Sequence, residues 1–187
     1  MDVAHEGTTM SFHKRIDKQV SSRGPGRAYV PPRSGAEWLV GVGFRCWLAG
    51  YDTGDISCWE NGWNEYARAL GTERAKRAVT ELACWVRALR ATASRKIEYY
   101  PFGCPGFCAD ECIAISLIAA SQHHRCPVMR ACALALTGSD LVEPVICSAN
   151  AFADVLQEAD QRLSTEAVAA LRVDRCKGGG DGRTERR

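Results

Sequence analysis

Between Glu73 and Ala93 the chain reads ERAKRAVTELACWVRALRATA, with Ala75, Val79, Leu82, Val86, Leu89 and Ala93 at intervals of three and four. An α-helix closes a turn every 3.6 residues, so this spacing lines one helical face, whereas on a strand it would scatter over both faces. A helix with one apolar stripe must bury it against other elements, which fixes packed helices as the architecture to test first. Arg74, Lys76, Arg77, Arg87 and Arg90 take much of the remaining surface, with Glu73 and Glu81 among them. Mixed signs of this kind are expected of a solvated outer face, and nucleic acid is disfavoured as a partner.

The neighbouring segments extend the helical pattern. EWLVGVGFRCWLAGY reads as a first helix, loosened by Gly41 and Gly43, and DTGD as the turn that ends it. Ser57 with Glu60 three residues on forms a capping box for a helix carrying Trp59, Trp63, Tyr66 and Leu70. Gly71 then supplies a stop and Thr72 a new cap. PVMRACALAL before Gly138 gives a short helix, SANAFADVLQEADQRL a longer one, and STEAVAALRV a closing one. Strand alternation is confined to a possible short extended piece at KIEYYPF, and no repeat with a period of twenty to fifty residues occurs.

The ends differ in composition. Residues 1–35 carry six Lys or Arg against three acids, 172–187 six against three, and 36–171 twelve against sixteen. SSRGPGRAYVPPRSG and CKGGGDGRTERR lack either periodicity and read as disordered basic tails, at 1–35 and 173–187. The segment between, 36–172, is expected to be one all-α domain, a compact bundle of five to seven helices joined by short connections. At 187 residues and 46% hydrophobic, the chain can bury a core without disulfide staples. Arg outnumbers Lys nineteen to five, which points to a GC-rich, bacterial coding genome.

The first twenty residues hold no apolar run suited to a secretory signal, so the mature chain is expected to start here. CIAISLIAA is about half of the ~20 residues that cross a bilayer, and WLVGVGFRCWLAGY carries Arg45 at its centre. A membrane span is therefore not expected. A cytoplasmic location follows as an expectation, and with it ten cysteines that are thiols, ligands or redox groups before they are disulfides. Cys46, Cys84 and Cys147 lie in apolar segments and are expected to pack.

YYPFGCPGFCADECIAISLIAASQHHRC, residues 99–126, concentrates Cys104, Cys108, Cys112, His123, His124 and Cys126. Pro105 and Gly106 occupy the centre of a four-residue turn that suits type II geometry and would fold Cys104 back toward Cys108. Asp110 and Glu111 follow in what should be a first helical turn, with Cys108 at or beside the N-cap. Three sulfurs gathered in this way make Cys104, Cys108 and Cys112 the candidate metal ligands, for zinc or an iron–sulfur cluster. A fourth ligand would come from Cys58, Cys84 or Cys147, from a partner or from water. A helix N-terminus lowers a thiol pKa, while the two acids oppose a thiolate. The competing reading is that these thiols cap and pack, because Cys-x3-Cys-x3-Cys matches no zinc, ferredoxin or thioredoxin-like spacing. His123 lies eleven residues beyond Cys112, roughly 16 Å along a helix, so one ion with ligand bonds of about 2 Å cannot join the two groups. His123, His124 and Cys126 are expected to end the helix.

Gly43 to Tyr66, with its Ala49-Gly50, Cys58 and Gly62-Trp63, faintly resembles the pattern of ribosome modulation factors. The gap from Cys58 to Gly62-Trp63 is shorter than in that family and the rest of the chain does not follow it, so nothing is carried over. Trp47, Trp59 and Trp63 are expected to pack between helices. Asp52, Asp55 and Glu60 lack the spacing of a calcium loop. No phosphate loop, dinucleotide fingerprint or G-x-S-x-G elbow is present, and two of the four histidines, His5 and His13, fall in the N-terminal tail. The expected function is that of a small cytoplasmic accessory or regulatory protein binding an unidentified protein partner. A metalloprotein is the alternative, and an enzyme ranks third.

Overall fold

A computed structural model describes residues 35–166. Within them six helices follow one another: α1 (Ala36–Thr53), α2 (Ile56–Leu70), α3 (Thr72–Thr92), α4 (Ala109–Gln122), α5 (Cys126–Thr137) and α6 (Glu143–Glu158). No strand occurs among the described residues, and KIEYYPF is irregular. The protein is an all-α bundle. No described helix is long and apolar enough to cross a membrane. Both tails and most of the expected closing helix, STEAVAALRV, lie outside the described residues.

Neighbours in sequence pack as pairs, α1 with α2 and α4 with α5, while α3 lies along α6 and α4 bridges α1 and α6. The stripe of α3 is buried as its spacing predicts at Ala75, Leu82, Val86 and Leu89, but the face is centred on Ala78 and Trp85, with Val79 half-buried. The ring of Trp85 explains the offset. It stacks on Phe152 of α6 at 5.7 Å and meets Phe44 of α1 at 5.5 Å, joining three helices.

Several boundaries differ from expectation for identifiable reasons. Helix α2 starts one residue before Ser57, because Asp55 takes the N-cap and its carboxylate accepts from the Ser57 N–H at 2.9 Å. Gly71, at φ +77°, ends α2 and caps α3, so Thr72 is already helical. Helix α6 begins at Glu143 rather than Ser148, with Pro144 in its first turn, where the missing N–H costs nothing.

The glycines of α1 do not loosen it. A Cβ at Gly41 would lie 2.4 Å from two carbons of the Phe107 ring, and one at Gly50 would lie 2.4 Å from Trp59. These positions are bare so that rings can seat on the helix backbone. The result is a helix buried over most of its length, from Leu39 to Leu48, and it includes the fully enclosed Arg45.

Candidate functional site

A guanidinium taken out of water needs an anion and acceptors for its remaining N–H groups. Arg45 finds both in the segment that connects α3 to α4. Its Nε donates to Glu111 Oε1 at 2.7 Å and its Nη2 to Glu111 Oε2 at 3.2 Å. Nη2 also donates to the Gly106 carbonyl at 2.7 Å, and Nη1 to the carbonyls of Cys104 at 3.0 Å and Pro101 at 3.4 Å. The Phe107 ring covers the guanidinium at 5.0 Å.

Glu111 completes the arrangement from the start of α4. Its carboxylate accepts the Cys108 N–H at 2.7 Å and the Tyr100 N–H at 3.3 Å. Asp110 does the same one position earlier, accepting from Arg95 at 2.7 and 2.8 Å and from the Glu98 N–H at 2.8 Å. Arg95 in turn donates to the Ala135 carbonyl, and the Ser94 N–H reaches the Thr137 carbonyl at 2.7 Å, so the connector is tied to the end of α5 as well. A long irregular segment is thus held at both ends by buried or half-buried ionic groups.

The cysteine segment sits inside this frame. Cys108 is the N-cap of α4, as expected, and forms a capping box with Glu111. The turn before it differs. The hydrogen-bonded turn is Pro101 to Cys104, closed by the Cys104 N–H on the Pro101 carbonyl at 3.1 Å, with Gly103 at φ +93° in its third position. Pro105-Gly106 makes only a bend, and the Cys104 carbonyl accepts from Arg45.

The Cys108 thiol donates to the Glu98 carbonyl at 3.2 Å. Burial, and after it the Glu111 carboxylate, push its pKa up to about 12. At neutral pH it is a thiol that closes a backbone acceptor. Cys104 and Cys112 are half-buried on either side, and all nine described cysteines are free of disulfides. Among the described residues no group of three or more His, Cys, Asp or Glu side chains is disposed to hold a metal ion.

The other candidates are placed as follows. Cys58 and Cys84 are half-buried, and Cys147 is exposed on α6 rather than packed. His123 ends α4, and its ring Nε2 lies 3.0 Å from the Leu163 carbonyl, tying the chain after α6 to α4 instead of capping α4's own carbonyls. Asp52 accepts from Tyr99 and pairs with Arg90, while Asp55 caps α2. On α3, Lys76 pairs with Glu73 and Arg77 with Glu158.

In the sequence Arg45 reads as an interruption of an apolar run, and Asp110 and Glu111 as acids at a helix start that oppose a thiolate; neither reading pairs Arg45 with Glu111. The available signal was a charge embedded in WLVGVGFRCWLAGY, which demands a buried partner. On the outside of the frame, Phe102 is 47% exposed and Tyr100 39% exposed. The chain matches no protein-family model, no curated protein and no solved structure.

Proposed function

We propose that this chain is a small cytoplasmic accessory or regulatory protein that acts by binding a protein partner, with the connector between α3 and α4 as the contact. The observation that carries this reading is the combination of exposed aromatics and immobilised backbone at Tyr100-Pro101-Phe102. Single exposed apolar residues are ordinary on any surface. These two differ because the Tyr100 N–H and the Pro101 carbonyl are bonded to the buried Glu111 and Arg45. Aromatic side chains on a fixed backbone lose little conformational freedom on binding, which is the condition under which a few residues dominate an interface. Free thiols throughout the described residues fit a reducing compartment.

The test compares affinity capture by the intact chain, by Tyr100→Ser/Phe102→Ser, and by Ile56→Ser as a control at an exposed apolar position on α2. Loss of two aromatic anchors should weaken one captured species by about tenfold or more, with the Ile56 variant unaffected. An identical capture profile for all three proteins contradicts the proposal.

A further inference from the structure

Where the C-terminal end of α3 runs into the connector, a partly open cavity of about 160 Å3 lies against α1. Leu48, Ala93 and Ile97 form its apolar wall, and Arg90, Arg95, Lys96 and Asp52 its charged one. Three cationic residues and one acidic residue line it, and a second carboxylate, Asp110, is paired with one of the cations, Arg95. The three cations differ in their partners. Arg95 is engaged throughout by Asp110 and by the carbonyls of Lys96 and Ala135, so it is an immobile part of the wall. Arg90 spends a single contact, 3.2 Å, on Asp52, with its guanidinium over the Tyr51 ring at 5.0 Å. Both Asp52 oxygens are used, the second by the Tyr99 hydroxyl at 3.1 Å. Among the described residues Lys96 has no acid within ion-pairing distance.

A cavity of this size holds on the order of five waters at ~30 Å3 each, or one small oxyanion with some of that water retained. From the unpartnered Lys96 and the incompletely used Arg90, with Arg95 a wall whose N–H groups are already taken by Asp110 and the Lys96 and Ala135 carbonyls, the geometry points to a binding site for a small anion of the phosphate class, either inorganic phosphate or the phosphate group of a small phosphomonoester. Arginine supplies planar donors that match phosphate oxygens, and lysine a compact charge that replaces one hydration contact. The site goes beyond protein binding and does not depend on it, since Tyr100 and Phe102 take no part.

Thermal unfolding of the full chain, at constant ionic strength and with millimolar inorganic phosphate or glycerol phosphate replacing chloride, is the test. A ligand that binds only the folded state raises the midpoint with concentration. The proposal expects a rise of a few degrees in the native chain that is lost in Lys96→Gln and in Arg90→Gln. Arg87→Gln, on the same helix but outside the cavity, should retain it. A response to one phosphate source alone identifies the ligand as free or esterified, and either supports the site. Phosphate also strengthens burial generally by exclusion from surfaces. A rise of equal size in all variants, or none in the native chain, overturns the proposal.

Discussion

Arg45 Nε and Glu111 Oε1 lie 2.7 Å apart, although 66 positions separate them in sequence and neither side chain is more than 1% exposed. Five backbone groups of the connector, the carbonyls of Pro101, Cys104 and Gly106 and the N–H groups of Tyr100 and Cys108, are bonded to this one pair. The pair therefore organises an irregular segment, where packing alone would leave carbonyls unsatisfied.

Removing one partner leaves the other charge buried. Arg45→Met and Glu111→Leu are each expected to cost about 3–5 kcal/mol, measured by urea unfolding. The double variant should lose less than the sum of the two single losses, because it strands no lone charge, while the backbone groups that the pair satisfies are still left without partners. Additive losses in the double variant would show that the two side chains act independently.

Gly41→Ala sets two effects against each other. Alanine favours a helix interior by about 1 kcal/mol. The new Cβ would approach the Phe107 ring to 2.4 Å, and that ring is held between Trp38 and the Arg45 guanidinium. Overpacking of a closed core costs about 1–3 kcal/mol and is expected to win. A calorimetric midpoint below that of the native chain checks it, and an unchanged or higher midpoint refutes the tight seating of Phe107.

The buried thiols predict a loss of stability in alkali. Burial raises Cys46, Cys108 and Cys132 from 9.0 to about 12. Above about pH 9 the unfolded chain releases these protons while the folded chain keeps them, so unfolding is favoured as pH rises from 9 toward 12. Tyr66, raised well above 10.0 by burial, acts in the same direction. Urea midpoints should fall across that range, and less steeply in Cys132→Ala. The exposed Cys126 and Cys147 should be alkylated first at neutral pH, with Cys108 reacting only on unfolding.

The three-sulfur hypothesis at Cys104, Cys108 and Cys112 has its own outcome. With the Cys108 thiol donating to the Glu98 carbonyl and no group of three ligand side chains gathered among the described residues, anaerobically purified protein should carry no stoichiometric zinc or iron. Cys108→Ser should shift stability by about 1 kcal/mol, equally with and without chelator, since a hydroxyl also serves as an N-cap. Stoichiometric metal, with folding lost on its removal, would restore the metalloprotein reading.

Much of the helical order is legible in the sequence. The α3 stripe, the Gly138 stop after α5 and the Cys108 N-cap follow from spacing and capping chemistry acting within a few residues. The site is less so, because its bonds are non-local. Arg45 meets Glu111 only after α1 and α4 pack together, and in that fold the Cys104 carbonyl accepts from Arg45 while Pro105-Gly106 forms a bend. Gly41 and Gly50 mislead for a related reason. Read locally they weaken a helix, whereas in the fold they admit the rings of Phe107 and Trp59.

Amide hydrogen exchange at Cys104 tests the central claim, that the ion pair holds the connector rigid. This N–H bonds to the Pro101 carbonyl and not to either charged side chain, so it reports the order of the turn itself. In the native chain it should be protected well above an exposed peptide. In Arg45→Met/Glu111→Leu its exchange should accelerate by about a hundredfold, while Leu82 and Leu89 in α3 stay protected. Exchange at the rate of an unstructured peptide in the native chain, or equal protection in both proteins, would contradict the account.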